Sequence, residues 1–367
     1  MFMKKKVIAL ALASVLAMSV LTGLAGCSEP ADAGKEEEKS GEEGGDSGES
    51  TEGKNIGVLI FNYANDYISY VRKGLEAEAD KAGVSYQTSD ANDNQPTQTE
   101  QVDTLLSKGV DGLCVALVES TAAETVIEKC RPSNTPVVFL NKKPTAEVLN
   151  TYDNCWYVGC ATQLPGEQET QMMIDDFKAD SSLDKNGDGK IQFVVIKGEN
   201  GHENSEARLV GMEKIIEESD IECEMLDMQV GGWNTQKAKD IMDAWISKYG
   251  DEIEVVLSQN DAMALGAIES LRGQGYFEDG GKTMAVYGIN CIQTGLEAME
   301  AGYLKGSVMT DMITEGATGF KVIQNAMNGV DIQTGIDFPY DEESKFFFVD
   351  SIPIRLEDID TAWAMYK

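Results

Sequence analysis

The stretch IGVLIF, residues 56–61, begins a series of short apolar runs that decides the fold. The following segments alternate between predicted helix and predicted strand: a helix at 67–82, VSYQTS (84–89), a helix at 98–108, DGLCVAL (111–117), a helix at 120–131 and PVVFL (136–140). Continuous apolar runs separated by amphipathic helices indicate a parallel sheet that is covered by helices on both faces.

The same alternation resumes in the second half of the chain. The predicted strands are IQFVVIKG (191–198), ECEMLDM (222–228), IEVVLSQ (253–259), MAVYGIN (284–290) and a strand near 304–309, with helices between them at 204–218, 234–248, 261–274 and 292–301. Residues 313–328 are predicted to be helical and FFFVDSIPI (346–354) extended, and we expect these late elements to cross back between domains. Two successive βαβ series predict an α/β fold with two doubly wound parallel-sheet domains.

The N-terminus has the pattern of a targeting signal. Three lysines at 4–6 precede an apolar run to about Leu21, and LAGC follows at 24–27. The apolar run is short for a membrane span, and a small-small-Cys ending is typical of a lipoprotein signal peptide. We therefore predict a signal peptide at 1–26, cleavage before Cys27 and lipid on the Cys27 thiol, with a plain transmembrane anchor as the alternative.

The composition of the remaining chain limits its domain organisation and its possible partners. Residues 27–53 have almost no bulky apolar side chains, which predicts an acidic, disordered tether to the extracytoplasmic face of the cell membrane. About 310 residues remain, which is too many for one ordinary core. Against 63 Asp and Glu there are only 30 Lys and Arg, a formal charge of −33, so nucleic acid is excluded as a partner.

Polar and aromatic residues follow the predicted strands. Ligands of open α/β sheets bind beyond the carboxyl ends of the strands, so we expect the site in the cleft between the two domains. The residues at these positions are Asn62–Tyr67, Asn141–Lys143, Gly198–Arg208, Gly231–Trp233, Asn260–Asp261, Asn290 and Thr310–Asp311. They offer hydrogen-bonding groups and aromatic rings rather than nucleophiles.

These polar and aromatic side chains suit a sugar, which has apolar ring faces and hydroxyl groups around its edge. Tyr67 and Trp233, one in each half, are the candidate stacking rings, although local packing is the alternative for either ring. His202 is the only histidine, and together with Arg208 it can donate hydrogen bonds to ligand oxygens near a helix N-terminus.

Enzymatic chemistry has little support. The sequence has no histidine-rich metal site, no phosphate-cradling glycine loop and no G-x-S-x-G elbow, and one histidine leaves little room for Ser/His/Asp catalysis. A glycosidase with paired carboxylates is a remote alternative. We therefore predict a binding protein rather than an enzyme.

Several stretches resemble the bacterial glucose/galactose-binding proteins of ABC sugar transporters, of the type 1 periplasmic-binding-protein superfamily. These are PVVFLNKKP (136–144), DKNGDGKIQF (184–193), KGENGHENSEAR (197–208), WNTQKAKDIMDAWI (233–246) and IEVVLSQNDAMALGAIE (253–269). The resemblance runs from about Ile56 to the C-terminal region. It implies a monomer that captures a galactose- or glucose-like monosaccharide and passes it to an ABC permease. Presentation of the sugar to a chemoreceptor or sensor kinase is the alternative.

The resemblance also implies how the domains are joined. An N-terminal domain would comprise 54–160 plus about 312–348, and a C-terminal domain 161–309 plus about 350–367. A three-crossing hinge would connect them, with crossings near Cys160–Thr162, Met309–Met312 and Val349–Ile352.

The segment DKNGDGKIQ (184–192) matches the first two thirds of an EF-hand calcium loop, but Val195 occupies the twelfth position, where the bidentate Glu belongs. The resemblance implies that a distant strand supplies this carboxylate from Glu254. The implied Ca²⁺ ligands are Asp184, Asn186, Asp188, the Lys190 carbonyl, Gln192 and Glu254, and the ion would tie the loop to the sheet. A plain Asp/Asn/Gly turn is the alternative.

For the sugar, the resemblance implies stacking by Tyr67 and Trp233 and polar contacts from Asn141, His202, Arg208 and Asn260. The chain departs from the family pattern, which has Asp at the positions of Asn65, Asn204 and Asn290 and Asn at that of Thr310; a one-residue shift would bring Asp66 to the first of these. An Asp only accepts hydrogen bonds, whereas an Asn also donates two. The changes either weaken binding of a neutral hexose or suit an acceptor-rich ligand such as a uronic acid. We rank the neutral hexose first because the rings, His202 and Arg208 are retained.

Overall fold

The computed structural model describes residues 53–278 and 280–367, so the predicted signal peptide, Cys27 and residues 28–52 of the tether lie outside it. The strands are β1 Asn55–Ile60, β2 Ser85–Asp90, β3 Gly112–Ala116, β4 Val137–Leu140, β5 Cys155–Cys160, β6 Ile191–Lys197, β7 Cys223–Val230, β8 Val255–Ser258, β9 Ala285–Asn290, β10 Gly306–Thr310, β11 Tyr340–Asp341, β12 Phe346–Val349 and β13 Ser351–Ile354. The helices are α1 Asp66–Lys81, α2 Gln95–Ser107, α3 Ala123–Cys130, α4 Ala146–Leu149, α5 Leu164–Ala179, α6 Glu203–Glu218, α7 Thr235–Tyr249, α8 Asp261–Gly273, α9 Gln293–Glu300, α10 Met312–Asn328 and α11 Ile359–Ala364.

In this part of the chain the strands form two sheets. The first has seven strands in the order β11-β12-β5-β4-β3-β1-β2, and the second has six in the order β13-β10-β9-β8-β6-β7. Neighbours pair in parallel except β11 with β12 and β10 with β13, where short strands at one edge of each sheet run antiparallel. The predicted α/β fold with two parallel-sheet domains is confirmed.

Burial follows the position of each strand. The central strands β3, β4, β8 and β9 are buried along their whole length, as their continuous apolar runs predict. The edge strands β2 and β7 are only partly buried, and they have the mixed sequences SYQTSD and CEMLDMQV. Helices cover both faces, so each sheet has a hydrophobic core layer on either side.

The chain passes between the two sheets three times. It leaves β5 of the first sheet at Cys160 and enters α5, which packs on the second sheet. It returns from β10 through Asp311 into α10, which packs on the first sheet, and it leaves β12 through Asp350 into β13 of the second. Each crossing leaves the carboxyl end of a strand, so the carboxyl ends of both sheets meet at the crossings.

Besides the short elements α4, β11 and α11, the sequence pattern failed to predict strand β5 and the long helix α5. Strand β5 (CWYVGC) contains a glycine and two cysteines, and the first turn of α5 contains Pro165 and Gly166. Glu169 and Thr170 are buried on the inner face of α5, which hides its apolar periodicity. Helix α5 therefore places polar side chains in the core, where their burial depends on the elements packed against the helix.

Helix α10 packs against α1 at two glycines. A Cβ on Gly316 would lie 1.8 Å from the Val71 carbonyl oxygen, and one on Gly74 would lie 2.0 Å from the Ile313 carbonyl oxygen. The two helix backbones are therefore in direct contact, which fixes the position of α10 just after the second crossing.

Candidate ligand-binding site

A cavity of about 640 Å³ lies between the loops at the carboxyl ends of the two sheets. Of the ligand residues predicted from sequence, those that line it are Asn65, Tyr67, Asn141, His202, Asn204, Arg208, Trp233, Asn260 and Asn290. Thr310 instead lines a much smaller adjoining cavity, together with Tyr67 and Arg208. Its hydroxyl accepts a hydrogen bond from Asn290 Nδ2 at 2.8 Å. The fold thus brings residues from widely separated loops around one space.

Local backbone geometry fixes the Trp233 ring. Trp233 and the preceding Gly232 have φ values of 59° and 63°, and this left-handed turn aims the indole back over the end of β6. There the ring covers Gly198 so closely that a Cβ at that position would lie 2.2 Å from its carbons. The His202 ring meets the indole edge to face, with the centroids 5.2 Å apart. One wall of the cavity is therefore a rigid aromatic surface.

Two of the amides predicted as ligand residues also cap helices. Asn65 Oδ1 accepts from the backbone N–H of Ile68 at the start of α1, and Asn260 Oδ1 accepts from that of Met263 at the start of α8. Each oxygen has one of its two lone pairs engaged in the cap, so the two N–H donors of each amide are its fully free groups. Both side chains thus offer a ligand more donors than acceptors.

Arg208 is the most deeply buried charged side chain of the lining, at 8% exposed. Its guanidinium donates to the Gln259 carbonyl and lies 5.8 Å from the centroid of the Trp233 ring, while Nε has no hydrogen-bond partner within the described chain. No described carboxylate lies within ion-pair distance of it. A buried, unpaired guanidinium can bind an electron-rich ligand group.

The surrounding titratable groups respond to this charge and to burial. Burial raises the pKa of the Glu169 carboxyl to about 8 and that of the Asp261 carboxyl to about 6, and Arg208 partly opposes both shifts. Burial, with Lys142 and Arg208 nearby, lowers the pKa of His202 to about 4. Near pH 7 His202 is therefore neutral and Glu169 is mostly neutral, whereas Asp261 is mostly ionised and offsets part of the Arg208 charge.

The acidic residues of the lining are placed differently. Asp66, Asp93 and Glu199 belong to the same cavity, but all three are exposed to solvent. Charges on exposed groups are screened by water and salt. They therefore offset the buried guanidinium less than an adjacent buried carboxylate would.

The loop 184–190 has the compact form of a cation-binding turn. The Asp184 carboxylate accepts from the backbone N–H groups of Gly187, Asp188 and Gly189 at 2.7, 3.1 and 2.9 Å. Glu254, which is 1% exposed, accepts from the Lys185 N–H at 2.6 Å and the Gln192 N–H at 3.1 Å. The distant carboxylate therefore lies against both ends of the loop.

The proposed ligands offer carboxylate, amide and carbonyl oxygens, which are the groups that Ca²⁺ prefers. In this structure, however, their side chains hydrogen-bond to one another. Asn186 Nδ2 donates to Gln192 Oε1 at 3.2 Å, and Gln192 Nε2 donates to Asp188 Oδ2 at 2.9 Å. Within the described residues no three His, Cys, Asp or Glu side chains are gathered as metal ligands. A cation would require the two amides to turn their oxygens inward, which needs side-chain rotation only.

Sequence reasoning missed a layer of buried polar residues behind the lining. Glu169 accepts from the Ser258 N–H at 3.1 Å, Gln259 bonds to the Gly198 N–H and the Ser205 hydroxyl, and Glu315 contacts Tyr67. The only signal was an acidic residue inside a helix otherwise made of small and apolar residues, as in MITEGATGF (312–320). The burial of such an acidic residue depends on the neighbouring helix, so the local sequence does not reveal it.

Comparison with known proteins agrees with this architecture. Residues 56–331 match the periplasmic binding protein domain. The chain is 36% identical over 276 residues to the D-galactose/methyl-galactoside binding periplasmic protein of Haemophilus influenzae, with 75% of this chain and 82% of that one covered. It is 26% identical over 290 residues to the xylitol-binding protein of Mycolicibacterium smegmatis, covering 79% and 77% of the two chains.

A solved structure has the same fold over nearly all of its length. It is an ABC transporter solute-binding protein from Bacillus halodurans with bound myo-inositol, which aligns with a TM-score of 0.72 at 26% identity and covers 87% of this chain and 100% of that one. The relatives are a galactose-binding periplasmic protein, a xylitol-binding protein and a solute-binding protein of an ABC transporter, so the prediction of a binding protein rather than an enzyme is confirmed. Among the helices of residues 53–278 and 280–367, none has the length and hydropathy of a membrane span. The chain belongs to the periplasmic binding protein family, among the sugar-binding proteins of ABC transporters.

Proposed function

We propose that this protein is a lipid-anchored solute-binding protein that captures a galactose- or glucose-like hexose and delivers it to an ABC importer. The observation that carries the proposal is the single cavity in which Tyr67 and Trp233, from loops of the two different sheets, meet a ring of amides, His202 and Arg208. An aromatic face suits each apolar side of a pyranose, and the polar side chains suit its hydroxyls. The 36% identical galactose-binding relative supports a hexose as the first ligand to test.

The expected mechanism is closure of the two domains over one sugar. The chain crosses between the sheets at three short segments, so a change of backbone angles there is enough to bring the two halves of the lining together. A sugar favours the closed form only by the extra contacts that it makes there. The permease would then recognise the closed shape of a protein that we expect to be a monomer.

One observation favours a second ligand class. Arg208 has no carboxylate partner in the described chain, and the Asn65 and Asn260 amides present donors because their oxygens cap helices. A uronic acid has a carboxylate that can accept from such groups. The same protein would then import an acidic sugar.

Calorimetric titration of the purified protein with galactose, glucose, xylose and galacturonate tests both proposals. One-to-one binding of a neutral hexose supports the first, and binding of galacturonate without the neutral sugars supports the second. Lack of binding to all four sugars would overturn both. Turnover of an aryl glycoside by the same preparation would instead support the remote glycosidase alternative.

The anchor and the partner have separate tests. Lipid labelling in cells should mark the wild type and a Cys223→Ser control but not a Cys27→Ser variant, and labelling of that variant would contradict anchoring through Cys27. Co-purification with an ABC permease supports delivery for import. Co-purification with a chemoreceptor or sensor kinase would support the sensory alternative.

We also propose that Ca²⁺ binds through Asp184, Asn186, Asp188, the Lys190 carbonyl, Gln192 and Glu254. Support comes from the oxygen-rich donor set and from Glu254, whose carboxylate contacts both ends of the loop. When bound, the ion would supply a crosslink between loop and strand rather than contact the sugar. Its role would therefore be structural.

A further inference from the structure

The carboxyl group of Glu315 joins two parts of the sugar site. Glu315 lies in the first turns of α10, directly after the second crossing, and it is 0% exposed. Its Oε2 is 2.6 Å from the Tyr67 hydroxyl, and its Oε1 accepts from the Asn141 backbone N–H at 3.0 Å. Tyr67 and Asn141 both line the main cavity, whereas Glu315 lines only the small adjoining one.

Asn141 needs this support because its backbone is in an unfavourable conformation. Its φ is 62°, in the left-handed region that side chains with a Cβ rarely adopt, although Asn tolerates it best. The Asn141 N–H donates to Glu315, and its carbonyl accepts from the Tyr157 hydroxyl at 3.0 Å. Two buried side chains thus satisfy both polar backbone groups and set the direction of the Asn141 side chain.

Tyr67 is held in the same way. The phenol is the candidate stacking ring of the first sheet, and its hydroxyl hydrogen-bonds to Glu315 at 2.6 Å. This bond fixes the far end of a ring that packs partly against the core of the first sheet and also lines the cavity. One carboxyl therefore orients a ring and an amide that come from different loops.

Helix packing alone does not account for a carboxyl at this position. Burying a carboxyl costs free energy unless its hydrogen bonds repay the cost, and no cation lies within ion-pair distance of Glu315 in the described chain. The titratable groups that face it are Tyr67 on α1, Tyr157 and Cys160 on β5, and Asp311 before α10. An apolar side chain would avoid this cost but would leave the Asn141 N–H without a partner.

We propose that Glu315 is a positioning residue of the sugar site, which holds the Tyr67 ring and the Asn141 side chain in place for the ligand without contacting the ligand itself. The inference rests on the proposed function, because it assigns Glu315 a part in the same site. If Glu315 has this role, the start of α10 at the second crossing is part of the sugar site.

The test is a double-mutant cycle with the sugar that the wild type binds. Glu315→Leu removes both hydrogen bonds and is expected to weaken Kd at least about tenfold, the equivalent of one hydrogen bond. Glu315→Gln, which can still accept from the Asn141 N–H and donate to the Tyr67 hydroxyl, should restore most of the affinity. Tyr67→Phe keeps the ring and removes the hydroxyl, so its combination with Glu315→Leu should be weaker by clearly less than the product of the two single effects. Full additivity, or a wild-type Kd for Glu315→Leu, would overturn the proposal.

A pH profile separates positioning from a purely structural role. Burial raises the pKa of Glu315 to about 8, and a ligand that excludes more water favours the neutral carboxyl, so wild-type affinity should fall as pH rises through 8. Because Glu169 also has a pKa of about 8, the comparison is made in a Glu169→Gln background, where the remaining step near pH 8 should belong to Glu315. Adding Glu315→Gln to that background should remove the step.

The outcomes distinguish a failure of the proposed function from a failure of the proposed role of Glu315. A wild type that binds none of the four sugars contradicts the proposed function. A wild type that binds, with a Glu315→Leu variant of the same affinity, contradicts only the role of Glu315. Should Glu315→Leu fail to fold, Tyr157→Phe is the second variant, because it removes the other bond that holds Asn141 and must then weaken Kd by a similar factor.

Discussion

Replacing Gly198 with Ala is expected to weaken sugar binding through Trp233, although Gly198 is not part of the cavity lining. The new Cβ would lie 2.2 Å from the Cη2 and Cζ2 carbons of the indole, whereas ordinary contact begins near 3.4 Å. The ring must therefore retreat by about 1.2 Å, because Gly198 is held by strand β6 and cannot move as easily.

The size of the effect follows from this displacement. Stacking on an aromatic side chain is worth about 1–3 kcal/mol, and a gap of about 0.5–1 Å loses a quarter to a half of a van der Waals contact. A loss of about 0.5–1.5 kcal/mol corresponds to an increase in Kd of about two- to tenfold. A ring pushed into the cavity would narrow it and act in the same direction.

The assay is calorimetric titration of Gly198→Ala, with thermal unfolding measured in parallel. Gly273→Ala is the matched control, since its Cβ would have no heavy atom within 4 Å, and its Kd should equal that of the wild type. Trp233→Ala sets the upper limit of the effect. A folded Gly198→Ala variant with wild-type affinity would refute the reasoning, because Trp233 would then not be the stacking surface.

Three further predictions concern stability. Gly316→Ala should destabilise the protein by about 1–3 kcal/mol and lower Tm by several degrees, because its Cβ would lie 1.8 Å from the Val71 carbonyl oxygen, and an unchanged Tm would contradict the contact between α1 and α10. Chelation of Ca²⁺ should lower Tm but leave sugar affinity at low temperature nearly unchanged, and Glu254→Gln should abolish the effect of the chelator; an equal loss of affinity would argue against a structural ion. The pKa of His202 is about 4 in the folded protein and about 6.5 in the unfolded chain, so protonation of His202 favours unfolding. The free energy of unfolding should therefore be unaffected by His202 above pH 6.5 and should fall as pH falls towards 4, by about 3 kcal/mol in all. His202→Asn should flatten this part of the pH–stability curve, and an unchanged slope would show that other groups cause it.

Local patterns in the sequence were enough for most of the secondary structure. Buried central strands such as β3 and β4 have continuous apolar runs, and Asn65 and Asn260 stand at helix starts where their oxygens act as caps. The candidate site was predictable in outline for a related reason. Residues that follow parallel strands must gather at one edge of a sheet, whatever their distance along the chain.

The prediction failed where burial depends on a neighbour. Helix α5 was missed because Glu169 and Thr170 lie on its inner face, and their partners belong to other segments. Glu315 gave no local sign that it contacts Tyr67, 248 residues away. Polar residues of this kind interrupt the apolar periodicity from which helices are predicted.

The sequence by itself determined the two βαβ series, the acidic character of the chain and the amide-rich composition of the site, since these depend on local pattern and residue type. Only the tertiary structure decided which groups of those amides remain free and that Arg208 has no carboxylate partner among the described residues. It also decided that one buried carboxyl orients both Tyr67 and Asn141. The reason is that a hydrogen bond depends on distances within about 3 Å, and the packing of segments far apart in the chain sets those distances.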